Sequence, residues 1–308
     1  VHYMALKEMI AAENIDRNVV AHWVNQKLSD RATIKTKRQV VRTETSFFGY
    51  PMLFHPVPSG KFQMGGSTNE NEVTLTHTIE ALSTPVTQLM WVDIMKKNPS
   101  HFVGGEYSIS RPIDGDSVQL RPDHPVESVT WWSAVLYANA LSKKHGLVPA
   151  YDLSRIEFVD ASLNSATQTI LSETEIFSVA AKGWLSPLDK QASPKINSLN
   201  GSIYLTSGYR LPTFAEQEYL MRAAGQNAPI EKKDKIEDWA WFQSNSNGET
   251  HPVAALTPLL IERREFYDLH GNVNEWGDDW LLMPRPSGVD PQSRGFSEPW
   301  PSHVYRGM

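Results

Sequence analysis

The sequence of 308 residues contains no cysteine. Disulfide bonds and thiolate metal sites are therefore excluded, and no cysteine thiol is present to act as a nucleophile. The absence of cysteine limits the chemistry that the chain can perform. It does not identify the cellular compartment, because a cysteine-free chain fits a reducing cytosol as well as an exported protein. The localisation stays open on these grounds.

Long apolar runs and an excess of positive charge are also missing. No stretch approaches the roughly 20 apolar residues that a membrane-spanning helix needs, so we expect no membrane span in this portion of the protein. The chain starts at Val1, and a targeting segment ahead of it would be out of view. The net charge is -6 and the basic residues are scattered, apart from Lys35 to Arg38, which disfavours a nucleic-acid partner.

The residues that are present suffice for a folded chain with two parts. With 40% hydrophobic residues, the sequence can bury a substantial core. Residues 4–31 carry apolar side chains near the helical period, with an interruption around Asn14 to Asp16, which predicts two short helices. The polar stretch that follows is interpreted as a linker, so residues 1–45 form a predicted N-terminal helical segment and residues 46–308 a main domain.

The main domain is predicted to combine short strands with three modest helices. Alternating β-branched and polar residues predict strands at Met52–Phe54, Lys61–Met64 and Val73–His77, arranged as a β-meander. Hydroxyl side chains that can act as N-caps precede apolar stretches and predict helices after Thr87, Thr130 and Thr213.

The sequence also indicates where the second and third helices end and what kind of segment lies between them. Gly146 and Gly225 are placed to end the two helices, and Thr213 with Glu216 forms a capping box. Residues 152–207 between these helices are rich in Ser, Asn and Thr and show no sustained periodicity. We expect an irregular insertion there that serves as functional surface or is locally disordered.

Four separated stretches carry most of the information about the fold. They are Pro85–Trp91 with Asn98–Phe102, His124–Trp131, Gly208–Thr213 with Glu216, and Asp268–Trp276. In this order and with this spacing they resemble the formylglycine-generating enzyme, or sulfatase-modifying factor, family. The resemblance spans roughly Phe48 to Met308. It implies an α+β domain with a variant of the C-type lectin fold that has little regular secondary structure.

The resemblance also implies a calcium site in the last of these stretches. Members of the family bind calcium with a carboxylate or amide at the start of this loop, two backbone carbonyls within it and a glutamate near its end. The matching positions are Asp268, Gly271, Val273 and Glu275. Calcium prefers six to eight hard oxygen ligands, which this set can begin to supply. The alternative is that Asp268 and Glu275 hydrogen-bond the loop's own amides without an ion.

The catalytic residues that the resemblance implies are missing. Family enzymes bind copper through two cysteines that follow an Arg-Gly-Gly motif near the C-terminus. This chain stops at Tyr305 to Met308, just where that motif would start, so the active-site segment is either absent or lies beyond Met308. Cuprous ion needs soft thiolate ligands, and we expect no copper and no formylglycine formation from a chain without them.

Other catalytic sites receive little support. A class of relatives that oxidises sulfur compounds at iron uses a cluster of histidines, but the N-terminal segment contains only His2 and His22. The remaining histidines and the tryptophans 239, 241, 276, 280 and 300 are interpreted as packing or loop residues. The adjacent Asp278 and Asp279 are interpreted as solvated or turn-capping acids rather than as an acid-base pair.

The sequence therefore predicts a non-catalytic recognition module that presents loops to a protein or another ligand. The recognition residues are expected in the insertion 152–207 and in residues 281–308, which are rich in Pro, Ser and Trp. Two alternatives remain open: an oxidoreductase whose catalytic residues lie outside this chain, and a structural component of a bacterial assembly.

Overall fold

A computed structural model describes residues 52–65, 71–225, 235–280 and 287–292, and the backbone of 303–306. The predicted N-terminal helical segment 1–45 lies outside these residues. Four helices fall in the described part: α1 Gln88–Met95, α2 Trp131–Lys144, α3 Glu173–Ala181 and α4 Phe214–Met221. Short 3-10 helices span Leu199–Gly201, Ile203–Leu205 and Ile236–Asp238.

The strands of the described residues are short and numerous. They are β1 Phe54–Val57, β2 Gly60–Met64, β3 Asn71–Leu75, β4 Ile79–Leu82, β5 Ile109–Ile113, β6 Asp116–Leu120, β7 Tyr151–Asp152, β8 Phe158–Asp160, β9 Leu185–Pro187, β10 Lys195–Ile196, β11 Leu259–Ile261, β12 Arg264–Phe266, β13 Glu275–Trp280, β14 Gly288–Val289 and β15 His303–Arg306. Most form two-stranded antiparallel ladders: β1 with β4, β5 with β6, β7 with β10, β8 with β9, β11 with β12, and β13 with β15.

The first strands do not form the predicted meander. β2 pairs with β3 and β14 adds in parallel to the other edge of β3, whereas β1 pairs with β4. In the sequence, the hairpin of β2 and β3 thus lies between β1 and β4, which pair with each other. Burial explains the pairing, because Phe62 and Met64 of β2 and Val73 and Leu75 of β3 alternate inward toward one core.

The predicted helix starts are confirmed by their caps. The side chains of Thr87 and Thr130 accept hydrogen bonds from the backbone N–H groups of Met90 and Ser133. After α2, Gly146 adopts a φ of 70°, and the N–H of Leu147 donates to the carbonyl of Ser142 at 2.9 Å. This arrangement is a left-handed C-terminal cap, as predicted.

The prediction that residues 152–207 are irregular was wrong. The helix α3 lies inside this segment and starts with a second capping box, in which Ser172 N–H and Oγ both donate to Glu175. Val179 to Ala181 at its end are buried in the core. The helix is only nine residues long and buries mainly alanine and valine, which gives too little periodicity to distinguish it within a Ser-rich and Thr-rich segment.

Aromatic side chains hold α1, α2 and α3 together. The rings of Trp91 and Tyr137 are stacked with centroids 5.0 Å apart, and Trp91 Nε1 donates to the carbonyl of Ala181 at 3.2 Å. Trp132 contacts Phe158 of β8 edge to face at 5.4 Å. The segment 152–207 therefore contributes side chains to the same core as the helices on either side of it.

Candidate functional site in the 268–275 loop

Residues 268–275, called here the 268–275 loop, connect β12 to β13. Gly271 forms an isolated parallel bridge with Trp241, and the N–H of Asn272 donates to the Trp241 carbonyl at 2.8 Å. Gly271 has a φ of +74°, and a Cβ atom there would lie 2.1 Å from the Trp241 carbonyl oxygen. The loop can therefore pack against residue 241 only with a glycine at this position.

Asp268 is held inside the loop by hydrogen bonds. It is 8% exposed, and its Oδ2 and Oδ1 atoms accept from the Ala254 N–H at 2.8 Å and from Asn272 Nδ2 at 3.2 Å. Burial raises the pKa of Asp268, and these two hydrogen bonds act in the opposite direction. The side chain thus makes the contacts expected from the alternative in which it hydrogen-bonds its own loop.

Glu275 lies in a different electrostatic environment at the start of β13. Burial, and next the negative charge of Asp268, raise its pKa to about 7. None of the described residues donates a hydrogen bond to its carboxylate. Gln217 Nε2 donates to its backbone carbonyl at 3.4 Å rather than to the carboxylate. Glu275 is half-buried, and partial removal of a carboxylate from water without a compensating donor or cation is unfavourable.

The structure thus brings Asp268 and Glu275 into electrostatic contact and places Gly271 and Val273 in the turn between them. The Gly271 carbonyl accepts from the N–H of Val273 at 2.7 Å, which leaves its second lone pair for another partner. Within the described ranges, no three His, Asp or Glu side chains converge as metal ligands. A cation here would need backbone carbonyls, and the hard oxygen donors of the loop fit calcium.

A cluster of residues behind the loop was not predicted from the sequence. The N–H of His251 donates to Asn272 Oδ1, and Asn272 Nδ2 donates to the His251 carbonyl, both at 3.0 Å. The ring of His251 stacks on Trp241 with centroids 3.7 Å apart. Next to it, Thr250 Oγ1 lies 3.1 Å from Nδ1 of His124. His124 belongs to one of the four stretches named in the sequence, but its proximity to Thr250 is a tertiary contact without a local sequence signal.

Arg121 connects this cluster to the neighbouring loop. It is 7% exposed, and its guanidinium donates to Glu249 at 2.8 Å and to the Gly104 carbonyl at 2.5 Å. The ring of Tyr107, from the same loop as Gly104, lies 5.8 Å from the ring of His124. The segments 104–107, 121–124 and 249–251 therefore meet behind the 268–275 loop.

Buried polar atoms without a hydrogen-bond partner surround the 268–275 loop. In the described part of the chain these atoms are His124 Nε2, Gln217 Oε1 and Trp241 Nε1. Gln217 contacts Glu275, Trp241 contacts Gly271 and Asn272, and His124 reaches the loop through Thr250 and His251. Such groups in native proteins usually contact ordered water or an ion, which makes this region the best candidate site.

His124 gives a testable pH dependence. Burial, followed by repulsion from Arg121 and His251, lowers its pKa from 6.5 to about 4. The unfolded chain therefore binds a proton at this histidine at a higher pH than the folded protein does. This costs the folded state about 2 kcal/mol of stability as the pH falls from 7 to 4.5.

In His124→Gln this part of the acid sensitivity is expected to disappear. The measurement is urea denaturation at several pH values, with the exposed His101→Gln as the control. If His124→Gln and the wild type lose the same stability between pH 7 and 4.5, the interpretation of His124 is wrong.

The other residues considered in the sequence have mainly structural contacts. Trp280 is buried, and Trp276 packs on the core and donates to the Val129 carbonyl at 3.0 Å. Trp300 lies outside the described residues. Of the two alternatives for Asp278 and Asp279, the solvated one is wrong, because they are 4% and 0% exposed. Their side chains accept from Tyr151 OH and from the N–H of Phe214 at the start of α4.

The fold and the site together define a class of protein. Short ladders, few helices and long connections around one core are features of the C-type lectin-like fold of the formylglycine-generating type. The sulfatase-modifying factor enzyme 1-like domain family matches residues 52–303, and the chain belongs to this family. The predicted family and fold class are confirmed.

Individual relatives are distant. A curated relative from Paenibacillus barcinonensis, named chaperone protein LppX, is 29% identical over 218 residues, which is 65% of this chain and 61% of the relative. The match thus spans less than two thirds of the relative's length. The solved structure of Treponema denticola variable protein 1 is 26% identical with a TM-score of 0.55, covering 80% of this chain and 82% of that chain.

A further solved structure, titled CarF, is 23% identical with a TM-score of 0.44 and covers 83% of this chain and 93% of that chain. None of the helices in the described residues has the length and apolar character needed to cross a membrane.

Proposed function

We propose that this protein is a non-catalytic recognition module on a formylglycine-generating-enzyme-like frame. The observation that carries the proposal is the complete absence of cysteine from a chain of this family. The family's oxidation chemistry uses thiolate-bound copper, and a chain without sulfur donors of this kind keeps the frame without that reaction. Recognition is the function that such a frame still supports, because loop variation is tolerated on a fixed core.

The surface of the segment 152–207 supports a role in binding a protein partner. It exposes large apolar side chains, among them Ile170 at 55%, Trp184 at 44% and Leu199 at 74%. Exposed apolar side chains gain free energy when a partner removes them from water. The relatives named as a chaperone protein and as a variable protein are compatible with partner binding.

Site-specific photo-crosslinking tests this function. A photoreactive amino acid is placed at Leu163 or Leu199, both exposed in the segment 152–207, and at Ile109 of β5 as the exposed control. Crosslinked partner bands in producing cells are expected from the first two positions and not from the third. Equal labelling from all three positions, or turnover of a peptide thiol by the purified chain alone, would contradict the proposal.

The 268–275 loop is proposed to hold a structural calcium ion through Asp268, Glu275 and the carbonyls of Gly271 and Val273. The raised pKa values of the buried Asp268 and the half-buried Glu275 support it, because calcium would supply the missing positive charge. Gln217 Oε1 is buried beside Glu275 without a partner and would lie in the polar surroundings of the ion.

Calcium is therefore expected to raise the melting temperature of the protein. A ligand at about 100 times its Kd stabilises the folded state by about 2.7 kcal/mol. The shift is measured by calorimetry at pH 8 after dialysis against a chelator. It should be lost in Asp268→Asn and Glu275→Gln and retained in Glu237→Gln, which changes an exposed acid. If calcium raises the melting temperature of the double variant Asp268→Asn with Glu275→Gln as much as that of the wild type, this assignment is wrong.

A further inference from the structure

Three consecutive polar residues of α4 are buried. Glu216, Gln217 and Glu218 are 1%, 5% and 3% exposed. Burial of polar groups is unfavourable unless each group finds a partner. Glu216 accepts from the guanidinium of Arg210 at 2.7 Å, and Glu218 accepts from Arg222 at 2.9 Å. Both acids thus have a compensating cation, and of the three residues Gln217 alone keeps a buried side-chain atom without a hydrogen-bond partner.

The end of the 268–275 loop orients the side-chain amide of Gln217. Its Nε2 donates to the backbone carbonyl of Glu275 at 3.4 Å, which leaves Oε1 as the atom without a partner. The reverse orientation of the amide would place two acceptors against each other. Gln217 Oε1 is therefore a buried acceptor beside Glu275, and it needs either a donor or a cation.

The other two buried atoms without a partner in the described residues are less suited to a cation. Trp241 Nε1 carries a hydrogen and can only donate. His124 reaches the loop through Thr250 and His251 rather than directly. Of the three atoms, Gln217 Oε1 is thus the hard oxygen next to a proposed calcium ligand.

Backbone contacts hold the first turn of α4 in place relative to the end of the loop. α4 packs against β13, which starts at Glu275. The N–H of Asp278 donates to the Pro212 carbonyl at 2.7 Å, and the N–H of Phe214 donates to the Asp279 carboxylate at 2.6 Å. The two elements are therefore tied together at two points, and Gln217 is already positioned before any ion binds. Such preorganisation lowers the cost of binding.

The proposed calcium site needs more oxygens than the loop readily supplies. Calcium takes six to eight oxygen ligands, and the loop offers two carboxylates and two backbone carbonyls. Both oxygens of Asp268 already accept an N–H group, from Ala254 and from Asn272, which disfavours binding of the ion through both of them. The remaining positions are left to water or to an oxygen from outside the loop. Side-chain amide oxygens of Asn and Gln are ordinary calcium ligands.

We propose that Gln217 Oε1 is a ligand of the cation held by the 268–275 loop. The inference rests on the proposed calcium site and adds to it a residue from α4. The ion then joins this helix to the loop, while Gln217 Nε2 holds the Glu275 carbonyl. A neutral amide oxygen completes the site without adding a third negative charge to Asp268 and Glu275, and like charges at one site disfavour each other.

Gln217→Met tests the role as a ligand, because methionine fills a similar volume and lacks the oxygen. In isothermal titration calorimetry at pH 8, the full chain with this change is expected to bind calcium about tenfold more weakly than the wild type. Gln217→Glu keeps an oxygen at this position and should bind calcium at least as tightly as the wild type. Leu220→Met is the matched control, since it conserves the volume of a buried residue on the same helix and should leave the affinity unchanged.

Terbium luminescence adds a readout that a purely structural role of Gln217 would not move. Tb³⁺ prefers the same hard oxygen ligands as calcium, and Trp276, next to Glu275, can sensitise its emission. The decay rates of the emission in H₂O and in D₂O give the number of water molecules bound to the ion. We expect one more bound water in Gln217→Met than in the wild type, and no change in Leu220→Met. The emission should disappear in Asp268→Asn with Glu275→Gln, which ties the signal to the loop.

The outcomes separate this inference from the calcium site on which it rests. Unchanged calcium affinity with an unchanged water number in Gln217→Met overturns the inference and leaves the calcium site in place. Equal weakening in Leu220→Met has the same meaning, because packing around α4 would then set the affinity. If Gln217→Met does not fold, calcium binding by Gln217→Glu that is weaker than in the wild type overturns the inference. A wild-type chain that binds neither ion, or emission that survives in the double variant, overturns the calcium site itself.

Discussion

Replacing Glu216 with alanine is expected to lower the free energy of unfolding by about 3 to 5 kcal/mol. Glu216 is 1% exposed, and its carboxylate accepts two hydrogen bonds of 2.7 Å from the guanidinium of Arg210. The same carboxylate accepts from the N–H of Thr213 at 2.8 Å, so it also caps α4. The variant would leave the largely buried Arg210 charge without its carboxylate partner and the Thr213 N–H without its acceptor.

Double variants distinguish the charge effect from a packing effect. Arg210→Met combined with Glu216→Leu removes both charges, and we expect it to be less destabilised than Glu216→Ala alone. The exposed pair of Glu262 and Arg264 is the control, and Glu262→Ala should change stability by less than about 1 kcal/mol. Urea denaturation measures all of these. A cost below about 1 kcal/mol for Glu216→Ala would show that the buried pair contributes little.

Gly271→Ala is the second change with a large expected effect. At a φ of +74° a residue with a Cβ costs about 1 to 2 kcal/mol, and here the Cβ would lie 2.1 Å from a backbone oxygen that the variant cannot move easily. We expect a total loss of about 3 kcal/mol or more and a displaced 268–275 loop. The calcium-dependent rise of the melting temperature should be reduced as well.

Gly248 supplies a matched control for this variant. It has the same φ of +74°, but a Cβ there would contact no atom within 4 Å. Gly248→Ala therefore reports the backbone strain alone and is expected to cost about 1 kcal/mol. If the two alanine variants are equally stable, the contact between Gly271 and Trp241 does not constrain the loop as the structure indicates.

Local signals in the sequence predicted local features well. A hydroxyl ahead of an apolar stretch marked the N-caps of α1, α2 and α4, because these bonds close within three or four residues. The family motifs predicted the fold class because their residues make contacts that are specific to this fold. Trp131 donates to the Gly277 carbonyl at 2.8 Å, and the N–H of Leu211 donates to Tyr151 OH at 3.1 Å.

Contacts between distant segments were not predictable in this way. The pairing of β1 with β4 and the cluster of His124 with Thr250 depend on tertiary packing, and single residues carry no mark of it. The burial of Asp279 was missed because an acidic residue is usually exposed, whereas here it caps α4. The predicted calcium ligands Asp268, Gly271, Val273 and Glu275 lie in one loop, and whether they bind an ion stays a prediction.

The anchoring of β14 has a consequence for how this chain can change during evolution. β14 pairs with β3 over Gly288 and Val289, and Asp290 accepts a hydrogen bond from the Thr76 N–H at 2.8 Å. Thr76 and Asp290 are 214 residues apart in the sequence. A substitution at Asp290 therefore alters the edge of a sheet whose other strands, β2 and β3, lie far away in the chain. Acceptable substitutions at the two ends of this contact consequently depend on each other.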